Sequence, residues 1–209
     1  MKQIRILIAD DHKIVRMGLK ALFSATRDLK VVGEADDGDA AVAMAHALTP
    51  DVITMDLMMP KRDGVSAIRE LHERLSATNI VVLTSYGATD SIAAALEAGA
   101  RGAVMKSADD AALLSAIRTV ARGETFISPE VRQLLAIDPP TPALSPRQKE
   151  VLDAIVKGLS NSEIAQLLGL SRTTVKDYVE SLLAKLGAAN RAEAVAITLR
   201  KQLASTGTT

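Results

Sequence analysis

Five polar side chains in this sequence directly follow apolar runs, and their types suit one chemistry. Asp10 and Asp11 follow Ile4–Ala9, Asp56 follows Val52–Met55, Thr84 follows Ile80–Leu83, and Lys106 follows Ala103–Met105. Three carboxylates brought to one place repel, and a cation among them relieves the repulsion. A hard divalent ion with oxygen ligands, chiefly Mg²⁺, is the natural occupant. Asp56 is then able to act as a nucleophile toward a phosphoryl donor. Thr84 and Lys106 could bind phosphoryl oxygens, one as a neutral donor and one as a point charge. Phosphoryl transfer needs little beyond positioning and charge neutralisation. One Asp at the end of an apolar run is ordinary surface; five polar groups after four separate runs are harder to dismiss.

Only a particular arrangement of elements brings those groups together. The runs Ile4–Ala9, Val31–Ala35, Val52–Met55, Ile80–Leu83 and Ala103–Met105 are short and nearly continuously apolar, as strands buried on both faces are. Helix-length segments lie between and after them, at 13–24, 38–47, 64–76, 88–98 and 109–121. The alternation predicts an α/β doubly wound, five-stranded parallel sheet, in which sites form at the carboxyl ends of the strands. No Gly-x-Gly-x-x-Gly or Walker loop follows the first strand, so the dinucleotide and nucleoside-triphosphate readings lose their main support.

The remainder has no strand-like run and reads as a small all-α domain of four helices. Ser145-Pro146 starts the first with a cap and a proline, and Gly158 closes it. Ser160 or Asn161 caps a short second helix that stops at Gly169. Ser171 caps a third with the stripe Val175, Val179, Leu182, Leu183 and Leu186, ending at Gly187, and Asn190 caps a fourth. Between the halves, Asp138-Pro139-Pro140-Thr141-Pro142 holds three of the seven prolines and reads as a linker.

The 209 residues carry 25 Lys+Arg and 25 Asp+Glu, a net charge of zero. That zero hides an asymmetry: 16 basic against 19 acidic residues through Pro140, and 9 against 6 from Thr141 onward. The absence of cysteine excludes disulfide scaffolds, Cys-ligated zinc and thiol nucleophiles. His12, His46 and His72 have no metal-ligand spacing. No apolar run approaches the roughly 18 residues that span a bilayer, and the first residues lead into no signal-peptide pattern. A cytoplasmic location without a membrane partner is therefore expected.

The segments Ile-Ala-Asp10-Asp11-His12, Asp56-Leu-Met-Met-Pro60, Asp63-Gly64, Val-Leu-Thr84-Ser85 and Met105-Lys106 resemble the receiver domain of bacterial response regulators. The resemblance covers about residues 1–122. It implies a flavodoxin-like fold and phosphorylation of Asp56 by a partner histidine kinase. It also implies Mg²⁺ held by Asp11, Asp56 and the Met58 carbonyl, with Asp10 acting through water. Thr84 and Lys106 would then sense the phosphoryl group. Residues 123–141 are expected to form the linker. Receivers often carry Tyr or Phe three residues before the lysine; here that position is Ala103. The resemblance also places Met58 and Tyr86 around the approach of a hydrolysing water. Both are bulky, which predicts slow self-dephosphorylation.

Leu144-Ser-Pro-Arg-Gln-Lys-Glu150, Gly158-Leu-Ser-Asn161-Ser-Glu163, Leu170-Ser171-Arg-Thr-Thr-Val175-Lys176 and Lys185-Leu-Gly187 resemble a LuxR-type helix-turn-helix, over about 142–204. Together the halves resemble a NarL/FixJ-type transcriptional regulator, with 205–209 as a disordered tail. The third helix becomes the recognition helix, its N-terminal side chains entering the major groove. Lys176 is the main expected contact. Arg172, Thr173, Thr174, Asn161 and Ser162 are expected near phosphates, and Lys185 is a weaker candidate. Asp177 and Glu180 could accept from cytosine or weaken phosphate attraction, and Tyr178 could reach a phosphate through its hydroxyl. The fourth helix, through Ala194, Val195, Ile197, Thr198 and Leu199, is the expected dimer surface.

The expected function is non-enzymatic. Phosphorylation of Asp56 promotes release and homodimerisation of the second domain on double-stranded promoter DNA, with RNA polymerase as a further partner. The first rival is the same architecture switched without phosphate, which Ala103 favours. The second is an aspartyl-phosphate phosphatase, which needs a general acid two residues after the nucleophile, where this chain has Met58. The third is a pure protein-binding module, which leaves the helix-turn-helix unexplained.

Overall fold

The computed structural model describes residues 3–75, 78–85, 89–140 and 144–201. Two compact units divide the chain, Met1–Pro139 and Pro140–Thr209.

In the first unit, side chains alternate across the strands. Leu7 and Ala9 of β1 (Ile4–Ala9), Ile53 and Met55 of β3 (Val52–Asp56), and Ile80 and Val82 of β4 (Asn79–Thr84) enter one core. Their neighbours Ile6, Ile8, Val52, Val81 and Leu83 enter a second core on the opposite face. This two-residue period makes both faces apolar, so helices must cover both. α1 (Lys13–Ser24) and α5 (Asp110–Ala121) cover one face, chiefly through Phe23, Leu113, Ala116, Ile117 and Val120. α2 (Gly38–Leu48), α3 (Gly64–Arg74) and α4 (Thr89–Glu97) cover the other.

With β2 at Leu29–Ala35, β5 at Gly102–Met105 and β6 at Phe126–Ile127, the strands are all parallel, in the order β2-β1-β3-β4-β5-β6. The order reverses beside β1, so the crevice between the ends of β1 and β3 is where such sheets bind ligands.

Among the described residues the sheet has six strands where the sequence suggests five, and the expected linker 123–141 is largely structured. Phe126–Ile127 forms β6 on the edge of β5, and Pro129–Ile137 forms α6. Ser128 is fully buried and caps α6 at the Val131 N–H. Val131, Leu134 and Leu135 then pack into the core lined by Ala103 and Met105. Hydrophobic burial ties this segment down, although it is short and lies between polar residues.

The second unit has the four expected helices: α7 (Pro146–Val156), α8 (Asn161–Leu168), α9 (Arg172–Leu186) and α10 (Arg191–Lys201). Ser145, Ser160 and Ser171 cap the first three, the first two as reciprocal capping boxes with Gln148 and Glu163. The Asn190 side chain accepts from the Glu193 N–H at 2.9 Å at the start of α10. Val151, Leu152, Ile155, Ile164, Val175 and Leu182 form the centre of its core. Thr141 and Pro142 of the expected linker and boundary, and the expected tail 205–209, lie outside the described residues.

Candidate functional sites

The crevice at the ends of β1 and β3 gathers most of the expected cluster. Asp10 and Asp56 are buried, and the Lys106 ammonium lies 2.7 Å from Asp10 Oδ2 and 2.7 Å from Asp56 Oδ2. The other oxygen of Asp56 accepts from the Met58 N–H at 3.3 Å. The Asp10 carboxylate accepts from the His12 N–H at 2.8 Å, and Arg16 donates to the Asp10 carbonyl at 2.6 Å. Ligand atoms of Asp10, Asp11, His12 and Asp56 all lie within 4.8 Å of one another. Thr84 is buried on the neighbouring strand end, but its hydroxyl donates to the Ser85 carbonyl at 3.3 Å rather than to Asp56.

Burial pushes the Asp56 carboxyl above its ordinary value; Lys106 pulls it back and the Asp10 charge adds to the rise. Burial alone would lower Lys106, but its bonds to Asp10 and Asp56 outweigh this and leave it raised. One lysine thus serves two buried carboxylates, with a third beside them. Asp10 Oδ2 faces the Lys106 ammonium and Asp11 Oδ1 faces the His12 Nδ1, each at 2.7 Å. An excess of hard oxygen donors over lysine charge fits a divalent cation of the Mg²⁺ type.

One glycine-dependent approach shapes the crevice. A Cβ on Gly64 would stand 2.1 Å from the Asp56 carbonyl oxygen, so the chain can fold back against the end of β3 only with glycine there. Asp63 caps α3 through the Ser66 N–H at 2.8 Å. The pair Asp63-Gly64 therefore serves cap and clearance together. Met58 is half exposed, and Tyr86 lies outside the described residues.

In the second unit, Arg172, Thr173, Lys176, Asp177 and Glu180 form one exposed stripe on α9, opposite the buried Val175 and Leu182. Thr174 is half-buried and its hydroxyl pairs with that of Ser171 at 2.9 Å. Lys176 and Glu180 pair loosely at 3.7 Å, one helical turn apart. The Arg172 guanidinium bonds Ser162 across the turn.

A family model of the response regulator receiver domain matches residues 6–118, more than half of the chain. The chain belongs to the response regulators. A second model, of luxR-family bacterial regulatory proteins, matches residues 142–198. Receiver plus luxR-type domain is the architecture of a transcriptional response regulator of a two-component system. The transcriptional regulatory protein LiaR of Bacillus subtilis (strain 168) is 36% identical over 96% of this chain and 99% of its own. The response regulator protein VraR of Staphylococcus aureus is 36% identical over 92% and 94%. Among solved structures, RcsB from Salmonella enterica serovar Typhimurium, bound to promoter P1flhDC in the presence of phosphomimetic BeF3⁻, is similar with a TM-score of 0.72. It is 28% identical over 95% of this chain and 99% of that one.

Burial changes one site expectation for this response regulator, and internal contacts engage three more of the expected residues. Ala194 and Thr198 are buried inside the second unit, the Thr198 hydroxyl bonding the Ala194 carbonyl at 2.7 Å, so they cannot form a dimer surface. Val195 and Ile197 pack partly against the same core; of the expected set, Leu199 is exposed. Tyr178 packs on the core beside the exposed stripe. Lys185 and Asn161 are engaged within the unit, Lys185 donating to Gln148 at 2.9 Å and Asn161 accepting from Arg191 at 3.2 Å.

Other positioning residues escape a reading by motif. Gln148 is buried and joins α7 to α9, donating to Ser181 at 3.0 Å and accepting from Lys185. Its position three residues after Ser145 is readable in the sequence, but its reach across to α9 is not. At Ala103, the position of the absent aromatic is fully buried, with Val131 of α6 in the same core. Thr89, at the start of α4, donates to Asp138 just past α6 at 3.1 Å.

Proposed function

We propose that this response regulator takes a phosphoryl group on Asp56 from a histidine kinase and in that state dimerises on promoter DNA. The observation that carries the reading is the Lys106 ammonium held between the buried Asp10 and Asp56, with Asp11 beside them. An Asp56 carboxylate oxygen attacks phosphorus; the new O–P bond forms as the P–N bond to the kinase histidine breaks, and that imidazole keeps its electron pair. Lys106 stays close enough to offset the charge gained, and Thr84 can turn its hydroxyl from the Ser85 carbonyl toward the new group. Asp10, Asp11, Asp56 and the Met58 carbonyl would hold Mg²⁺, whose charge offsets that of the transferring phosphoryl group.

Phosphorylation adds about −1.5 to −2 charges to a crevice balanced around one lysine. The second unit contributes the stripe Arg172, Thr173, Lys176, Asp177 and Glu180 to the major groove, with Thr174 and the helix N-terminus at phosphates. RcsB bound to a promoter in the presence of phosphomimetic BeF3⁻ supports the coupling of this site to DNA binding. Met58 beside the crevice supports slow self-dephosphorylation.

Acetyl phosphate with Mg²⁺ tests the reading. Wild type should gain the mass of one phosphoryl group and then bind promoter DNA more tightly. Asp56→Asn should gain none. If Asp56→Asn binds DNA as tightly as phosphorylated wild type, regulation independent of phosphate replaces this reading.

A further inference from the structure

The loop of residues 57–63, between β3 and α3, sets the surroundings of Asp56: its Met58 N–H donates to Asp56 Oδ1. Its far edge is gripped by the first turn of α2. Lys61 stands at φ +61°, in the left-handed region that lysine rarely adopts. Its ammonium bonds Asp37 Oδ2 at 2.5 Å, and the Asp37 carboxylate is buried, its other oxygen capping α2 at the Ala40 N–H, 2.7 Å away. The next residues repeat the grip. The Gly38 N–H donates to the Arg62 carbonyl at 3.2 Å, and a Cβ on Gly38 would stand 2.5 Å from that oxygen. The Arg62 guanidinium pairs with Asp39 at 2.9 Å and also bonds Glu70. At its near end the loop is pinned by Gly64 against the Asp56 carbonyl.

We infer that Lys61 and Asp37 are positioning residues for phosphoryl acceptance: their ion pair ties the 57–63 loop to α2 and so holds the Met58 backbone against Asp56. Neither residue touches the reacting atoms. The pair is more than a surface contact because its acidic partner is buried and already oriented by a helix cap. Releasing Lys61 removes the interaction that offsets its unfavourable backbone, and the loop is free to relax away from Asp56. The inference rests on Asp56 being the phosphoacceptor, and the experiment separates the two.

Full-length wild type, Lys61→Met, Asp37→Asn and Lys61→Arg are compared. Asp37→Asn retains an oxygen to cap α2 and loses only the charge. Mg²⁺ binding is measured by calorimetry, phosphorylation rate with acetyl phosphate across Mg²⁺ concentrations, and melting without Mg²⁺. Lys61→Met and Asp37→Asn should each weaken Mg²⁺ binding about tenfold. Each should slow phosphorylation similarly at limiting Mg²⁺ and recover most of the rate at saturation. Lys61→Arg should restore both. Wild-type Mg²⁺ affinity in Lys61→Met and Asp37→Asn overturns the inference, whether or not melting falls, because the pair would then be a cap alone. Wild type that neither binds Mg²⁺ nor accepts phosphoryl overturns the parent reading and this one together.

Discussion

The two units treat charge in opposite ways. In the receiver, Asp10 and Asp56 are buried and already share the Lys106 ammonium at 2.7 Å. On α9 of the second unit, Lys176 and Glu180 are about two-thirds exposed and 3.7 Å apart. Desolvated charges must find their partners inside the fold, whereas solvated ones remain available to a partner from outside. Substitutions in the crevice should therefore change stability and chemistry together, and substitutions on α9 should change binding alone.

The largest effect is expected at Gly64. Gly64→Ala places a methyl 2.1 Å from the Asp56 carbonyl oxygen, so backbone must move. We expect a loss of about 3 kcal/mol, roughly a 10 °C fall in melting temperature, and slower phosphorylation. A variant that melts with wild type but phosphorylates slowly would separate the two properties that burial is held to link.

An intermediate effect belongs to α9. Lys176→Ala should weaken DNA binding by about 1 kcal/mol and lower the salt slope by about one, with melting unchanged. Glu180→Gln should act in the opposite sense by about 0.5 kcal/mol, since it removes a like charge to the phosphates and frees Lys176. A fall in melting temperature for either variant would show that the exposed stripe also serves the fold.

The smallest effect is at the receiver's edge. Arg118 of α5 grips Asp28 through two hydrogen bonds at 2.8 and 3.0 Å, and chiefly that bond holds the Asp28 carboxyl below its ordinary value of 3.8. A depressed carboxylate pKa stabilises the folded state above pH 3.8 and loses that contribution as pH falls through the lowered value. The pair is part-exposed, so after screening it is worth less than about 1 kcal/mol. Asp28→Asn should destabilise slightly at neutral pH and reduce the loss of stability on acidification below pH 4. An identical acid profile in wild type and variant would place the pH dependence elsewhere.

Much of the receiver could be read because its apolar runs end on the residues that matter. Asp10, Asp56 and Lys106 each sit one residue past a buried segment, so finding the strands located the crevice. The segment 123–141 reads as a linker for a related reason. Ser128-Pro129 carries the same cap-and-proline start as Ser145-Pro146, but the helix that follows has nine residues and its strand two. Such short elements draw their stability from burial of Val131 against the core around Ala103, which no local pattern displays. Ala194 and Thr198 are buried although their sequence pattern suits an interface, because small residues at helical spacing serve an interface and a core equally well.

The sequence by itself determined the two-domain architecture, the cap residues, the strand-end site and the exposed face of α9, all of which follow from local periodicity and residue type. The tertiary structure alone decided that Lys106 bridges Asp10 and Asp56, that Gln148 joins two helices, that α6 packs into the core that includes Ala103, and that Lys61 answers to Asp37 across 24 residues. The reason is physical: these contacts join residues far apart in the chain, and their partners are selected by packing rather than by neighbours in sequence.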